Sequence, residues 1–203
     1  MKTEPKDQSL QERYILENER IALHTLSEIH LDDLAQFSDH EPEIWKFSLE
    51  QPTSKQKMAT YIANTLQKKK EGKEHAFIVF DKQQRETAGS TRLYEIDLNQ
   101  KVCSIGYTWY GKKFQGTGLN KHAKYLLLKF AFDTLHMERI QFKADNENKR
   151  SIQALLSLGC TFEGLLRSNM YRADHTRRDS AVFSSLRAEW YDHAENKLFL
   201  KLT

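Results

Sequence analysis

The sequence predicts an α+β fold, and three observations predict it. Apolar residues alternate with period two in three consecutive segments, 75–80 (HAFIVF), 88–96 (AGSTRLYEI) and 102–110 (VCSIGYTWY), as half-buried strands joined by polar turns require. On either side of that block the apolar spacing becomes helical, with Met58, Ile62 and Leu66 before it and Ala123, Leu126, Leu127, Phe130 and Ala131 after it. Strands grouped first and mixed with helices later argue for a mixed, mostly antiparallel sheet flanked by helices, and against a regular βαβ array.

The elements follow in order. Residues 1–15 read as a flexible polar lead-in, and 16–203 as a single domain, the expected count for 203 residues. Residues 20–26 (RIALHTL) alternate like a strand. A short helix follows, capped by Ser27, with Ile29, Leu31, Leu34 and Phe37 along one side. Residues 42–52, between Pro42 and Pro52, form a loop holding Trp45 and Phe47. Thr53 opens a second helix that ends in the Lys68, Lys69, Lys70 run and Gly72, where cations suit the helix dipole. Beyond the meander, 119–135 is helical, 139–144 (RIQFKA) a strand, and 148–158 a short helix. In that helix Ile152, Leu155 and Leu156 face inward and Gly159 is the stop. Two strands, 161–172 and 178–186, and a tail ending LFLKL close the chain.

Composition excludes several classes. Aromatics at 11% and plentiful apolar periodicity exclude disorder. The densest apolar patch, 125–128, is closed by Lys129, far short of the ~18 residues of a membrane span. The first ten residues are polar, so a cytoplasmic location is expected over secretion. Cys103 and Cys160 have no CxxC spacing and no adjacent His, and the eight His form no HExxH pair, so no metal is expected. A net charge of +3 with acids interleaved among the bases gives no basic face for nucleic acid.

The segment that carries chemistry is 114–120 (FQGTGLN), between a strand and a helix. A glycine-bearing turn at a helix N-terminus presents free backbone N–H groups to an anion. It is not a P-loop, because Thr117 and Gly118 stand where Lys-Ser/Thr is needed. It is not a dinucleotide fingerprint, because Lys121 occupies the third glycine position. A Gly-x-Ser-x-Gly nucleophile elbow occurs nowhere in the chain.

Residues 115–120 (QGTGLN) resemble the Q/R-x-x-G-x-G/A acyl-CoA pyrophosphate loop of the GNAT N-acetyltransferase superfamily, with Asn120 in place of Gly or Ala. IGYTWY (105–110), TGLNKHAKYLLLKFAF (117–132), RIQFKADNENKRS (139–151), LGCTFEGLLR (158–167) and RRDSAVFSSLRAEW (177–190) are similar, in order and spacing, to its ribosomal-protein N-terminal acetyltransferase-like (RimJ/RimL-type) branch. The resemblance covers about residues 17–190.

It implies a GNAT-type sheet with splayed strands at the acyl-CoA site, and direct transfer of an acetyl group from acetyl-CoA to a primary amine in a ternary complex. The acceptor would be a protein N-terminus or a small molecule, and the protein a monomer or homodimer. Thr108, Trp109 and Tyr110 would pair with pantetheine. The N–H groups of Gln115, Gly116, Thr117, Gly118, Leu119 and Asn120 would hold the pyrophosphate, and Asn148 and Ser151 would lie beside the cofactor. Leu155 stands where many members carry the Tyr acid, and Ala144 where this branch can carry a Ser. Glu163 is then the candidate base, acting through a water, with Ser151, Tyr171 and Tyr110 as candidate acids.

Plainer readings stand beside these. Asn148 is also a helix N-cap, Glu163 a strand ion-pair residue, and Arg178–Asp179 a turn-closing or buried pair. Trp45 is an acceptor-pocket wall or a core plug, and Trp190 packs structurally. A non-catalytic acyl-CoA sensor on the same fold is the competing class, and a nucleic-acid-associated protein a more distant one. The acceptor's acidity bears on the base required. An α-amine with a pKa of about 7.7–8.0 is partly neutral near pH 7.4, whereas a lysine at about 10.4 is almost wholly charged.

Overall fold

The computed structural model describes residues 8–202. In chain order the elements are β1 (Ile15–Glu17), β2 (Ile21–Thr25), α1 (Leu31–His40), α2 (Lys55–Lys70), β3 (His75–Asp81), β4 (Glu86–Asp97), β5 (Val102–Tyr110), α3 (Leu119–Lys129), β6 (Arg139–Asp145), α4 (Lys149–Ser157), β7 (Thr161–Tyr171), β8 (Arg177–Leu186), α5 (Arg187–Glu189) and α6 (Glu195–Phe199). The strands form one sheet in the order β1-β2-β3-β4-β5-β6-β8-β7. Every neighbouring pair is antiparallel except β5 and β6. The three period-two segments of the sequence are β3, β4 and β5, and their bounds move by no more than two residues.

Apolar burial explains the layers. Phe77 and Val79 of β3, Leu93 of β4, Ile105 of β5 and Ile140 of β6 are buried in the same core as Leu127 and Ala131. The α3 stripe does not end with the α-helix. It runs on through a wider π turn, Phe130–Thr134, in which Phe130, Ala131 and Phe132 are all buried. A second such turn, Trp190–Ala194, buries Trp190 against Phe132 at a ring separation of 5.7 Å.

Several sequence expectations need correction. Ile29 does not line the α1 face; it lies in a 3-10 turn, Glu28–His30, out of phase with the helix, and is 82% exposed. Leu156 is 46% exposed, because the buried face of α4 steps through Ile152, Leu155 and Leu158. The cap of α2 is Ser54 rather than Thr53, its side chain accepting from the Lys57 N–H at 3.2 Å. β1 was missed, since three residues are too few to show a period. Of the polar lead-in, 1–7 lie outside the described residues. Leu10 beyond them is buried, its carbonyl 3.2 Å from His75 Nδ1, and Tyr14 packs edge-on against Phe130.

Candidate active site

The site begins where the sheet splits. β5 and β6 pair only at Val102↔Arg139, Cys103↔Ile140 and Ser104↔Gln141. Beyond that level β6 stays with β8 as far as Asp145↔Ser180, while β5 stays with β4 as far as Gly89↔Tyr110. A wedge opens between them, and one backbone edge of β5 has no strand partner.

A bulge shapes that edge. Ser90 pairs with Trp109 and Arg92 with Gly106, so Tyr107 and Thr108 together oppose Thr91, and Tyr107 takes φ +48°. Bulges bend a strand and re-aim its side chains. Here the Tyr107 ring meets Tyr94 at 5.1 Å and the Arg92 guanidinium at 4.1 Å, while Thr108 turns to α3 and accepts from Lys124 Nζ at 2.7 Å. Trp109 is buried against Phe37 and Trp45 at 5.5 and 4.7 Å. Trp45 is therefore a core plug and not a pocket wall. The Tyr110 hydroxyl is buried with no hydrogen-bond partner among the described residues, and burial pushes its pKa up, which makes it a poor acid.

The turn from β5 to α3 leaves main-chain donors free. Gly116 and Gly118 take φ +79° and +89°, the left-handed region in which a side chain is strained, and a Cβ at either would meet nothing within 4 Å. Gly118 is the N-cap of α3. No hydrogen bond among the described residues engages the N–H groups of residues 116–120, so five donors face open space where the helix dipole adds positive potential. The turn is braced from three sides. Thr117 Oγ1 donates to the Phe114 carbonyl at 2.7 Å, Gln115 Nε2 donates to the Tyr110 carbonyl at 2.9 Å, and Arg150 donates to Gln115 Oε1 at 2.5 Å. The Arg150 guanidinium, at the start of α4, thus stands beside the loop; its signal in the sequence was only a cation two residues after Asn148.

Asn148 is the N-cap of α4, its Oδ1 accepting from the Ser151 N–H at 3.0 Å. Ser151 is half-buried in the first helical turn. Glu163 lies elsewhere, level with the paired part of β5 and β6. Arg139 grips both its carboxylate oxygens, at 2.6 and 2.5 Å, and Ser184 Oγ donates at 2.7 Å. Those hydrogen bonds, Arg139 first, hold the Glu163 carboxyl down at about 2. Tyr171 is at the end of β7, 61% exposed, with Arg177 over its ring at 4.4 Å.

Arg178 and Asp179 form no pair with each other. Asp179 accepts from the Ser168 N–H at 2.7 Å, where β7 breaks register, and among the described residues the buried Arg178 reaches only Ser180 Oγ at 3.4 Å. Cys103 and Cys160 are buried free thiols, both pushed up to about 12 by burial, and so are unsuited to nucleophilic catalysis. Among the described residues no group of His, Cys, Asp or Glu is arranged to hold a metal, and no helix is long and apolar enough to cross a membrane.

Two buried cations carried no readable signal in the sequence. Arg92, 1% exposed, lies between the rings of Tyr61 and Tyr107 and donates to Glu74 at 2.6 Å, a carboxylate that Lys68 also reaches. Lys124, on α3, faces the hydroxyls of Thr108 and Thr91.

Comparison with known proteins places this geometry. Residues 20–161 match the acetyltransferase (GNAT) domain. The chain is 30% identical over 178 residues to the uncharacterized N-acetyltransferase p20 of Bacillus licheniformis, covering 86% of this chain and 97% of that one. The crystal structure of a GCN5-related N-acetyltransferase from Brucella melitensis superposes with a TM-score of 0.86 at 27% identity, over 98% of this chain and 88% of that one. A split mixed sheet with free main-chain donors at its mouth is thus the fold of known acetyltransferases. The chain belongs to the GNAT acetyltransferase family, whose members bind acetyl-CoA, and it is an N-acetyltransferase.

Proposed function

We propose that the protein transfers the acetyl group of acetyl-CoA directly to a weakly basic primary amine, either a peptide α-amine or a small-molecule amine. The observation that carries this reading is the pairing of five free N–H groups at 116–120 with an unpartnered backbone edge on β5. In this reading the pyrophosphate lies on the N–H groups of residues 116–120, with Arg150 beside it; the Gln115 N–H, expected among them, is taken up by the Lys112 carbonyl at 3.1 Å. Pantetheine runs along Thr108, Trp109 and Tyr110 into the wedge, next to Asn148 and Ser151. The residues present fit that group: the donors are free, space at both glycines is open, and the nearby side chains are cationic or neutral.

The acceptor amine approaches from the opposite face, where Tyr107 and Tyr94 line the bulge. A cleft of about 200 Å³, bounded by Glu50, Gln51, Pro52 and Tyr61, opens on the α2 side. Glu163, three strands from β5, accepts the proton only through a chain of waters, and weakly, because a carboxylate stabilised by Arg139 has little affinity for a proton. An amine that is already partly neutral asks little of it, which favours α-amines over lysine side chains. Ser151, with its N–H committed to Asn148 and its hydroxyl half-buried beside the cofactor path, is the candidate acid for the departing thiolate. Tyr171 is the second candidate.

The test mixes protein, acetyl-CoA and a panel of amines and follows free thiol. Peptide α-amines and low-pKa small amines are expected to release thiol faster than blocked peptides offering only lysine. Binding of acetyl-CoA with no thiol release from any amine would favour an acyl-CoA sensor.

A further inference from the structure

Lys124 is a buried charged group with no counter-ion among the described residues. Its side chain points from α3 into the sheet and is 4% exposed. Its ammonium has three N–H donors. One reaches Thr108 Oγ1 at 2.7 Å and one Thr91 Oγ1 at 3.4 Å, and the third has no partner among the described residues. No carboxylate among the described residues pairs with it, although Arg92, equally buried, has Glu74. Buried charges are ordinarily paired, so an unpaired one marks a place where a partner is expected from outside the chain.

Its surroundings say which partner. Thr108 is half of the β5 bulge, on the edge that faces the wedge. Lys124 follows the N-cap Gly118 by six residues, about 9 Å along the helix axis at ~1.5 Å per residue, so it stands about one and two-thirds turns below the glycine turn. The titratable group that bears on it from another element is the Cys160 thiol, just after α4. That thiol is neutral at physiological pH, with Glu189 acting on it in turn. The hydroxyls of Thr91 and Thr108 do not titrate. Burial alone therefore lowers the ammonium to about 7, and an anion arriving nearby reverses that effect.

We propose that Lys124 is the buried cation of the cofactor site: its ammonium, held beneath Thr108 at the β5 bulge, balances the negative charge of acyl-CoA, and cofactor binding draws one proton from solvent onto Nζ. The inference rests on the cofactor placement proposed above and adds a residue and a proton to it. Lys124 acts on the cofactor through charge and through Thr108, as a positioning residue.

Titration calorimetry of the full chain with acetyl-CoA at pH 8, in two buffers of different ionisation enthalpy, measures the proton directly. Uptake of about half to one proton is expected, with affinity falling about tenfold between pH 7 and pH 9 as the free protein loses that proton. The cofactor's own phosphate titrates near ~6 and contributes equally in every variant. Lys124→Met should bind about tenfold more weakly at pH 7, with no uptake and a flat pH profile. Lys124→Arg keeps the charge without titrating, and should restore affinity at pH 7 with the profile still flat. A packing role alone would change neither the uptake nor the profile. Uptake absent from the unmodified protein, or unchanged in either variant, overturns the proposal while leaving the cofactor site intact. Failure of the unmodified protein to bind acetyl-CoA at all would instead overturn the cofactor placement itself.

Discussion

The mouth of the wedge and the paired end of the sheet are built from opposite materials. At the mouth, residues 116–120 offer main-chain donors whose direction is fixed by two left-handed glycines and by the braces from Thr117 and Gln115. At the paired end, Glu163 is a side-chain group whose character is set by Arg139, 24 positions away in sequence. A backbone site keeps its chemistry whatever surrounds it, since peptide N–H groups do not titrate. A side-chain site is only as basic as its neighbours allow. In the proposed reading the cofactor end is therefore rigid and generic, and the group that takes the proton is tunable.

The largest effect expected from breaking this contrast comes at the glycines. Gly118→Trp fills the open space above the N-cap and forces a bulky residue to φ +89°. Acetyl-CoA affinity should fall more than ~100-fold. Circular dichroism should show the fold retained, since backbone strain of about 1–2 kcal/mol is small beside a domain's stability. Unchanged affinity in a calorimetric titration would move the pyrophosphate off this turn.

Smaller and more informative effects are expected at Glu163. A well-tuned general base contributes ~10²–10⁴-fold; with its carboxyl held near 2, Glu163→Gln should lower kcat by about tenfold or less, with acetyl-CoA affinity unchanged. The loss should shrink as pH rises and the amine deprotonates unaided. Arg139→Met should sharpen the comparison by letting the carboxyl rise towards its ordinary range, so that an acid limb absent from the unmodified enzyme enters the pH–rate profile near pH 4–5. The same pair bears on stability. A carboxylate lowered in the folded state contributes stability at neutral pH that is lost as pH falls from the ordinary carboxylate range towards 2. Because both partners are partly exposed, that contribution is about 0.2–1 kcal/mol, visible as a shallower acid melt in Glu163→Gln.

Next in size is Asn148→Ala, which removes the cap of α4 at a cost of about 1 kcal/mol and loosens the segment carrying Ser151 and Arg150. Acetyl-CoA affinity should weaken several-fold, and Asn148→Asp, which also caps, should recover the melting temperature. The smallest expected effect is none. Dialysis against a strong chelator should leave turnover as it was, and a loss restored by zinc would refute the reading of the His and Cys pattern.

Much of the frame was legible because it depends on local rules. Period two marked β3, β4 and β5, and the spacing of Gly116 and Gly118 marked the turn into α3. Asn148 announced both a cap and a site, and serves as the cap. What was hidden depended on partners distant in sequence. Ile29 and Leu156 fit a helical stripe and lie outside it, because the phase of a short helix is set by what it packs on. The Arg178–Asp179 dipeptide suggested a pair, yet successive strand residues point to opposite faces, and each found a different neighbour.

By itself the sequence determined the α+β class, the strand block, the glycine turn into α3 and the family resemblance, because all four are written in residue type and spacing along the chain. Only the tertiary structure decided that β5 and β6 part after three pairs, that Arg139 holds the Glu163 carboxylate, and that Lys124 is buried without a counter-ion among the described residues. The first is a matter of which backbones pair and the other two of charge and desolvation; all depend on distance in space and on the exclusion of water, and neither quantity can be read from order along a chain.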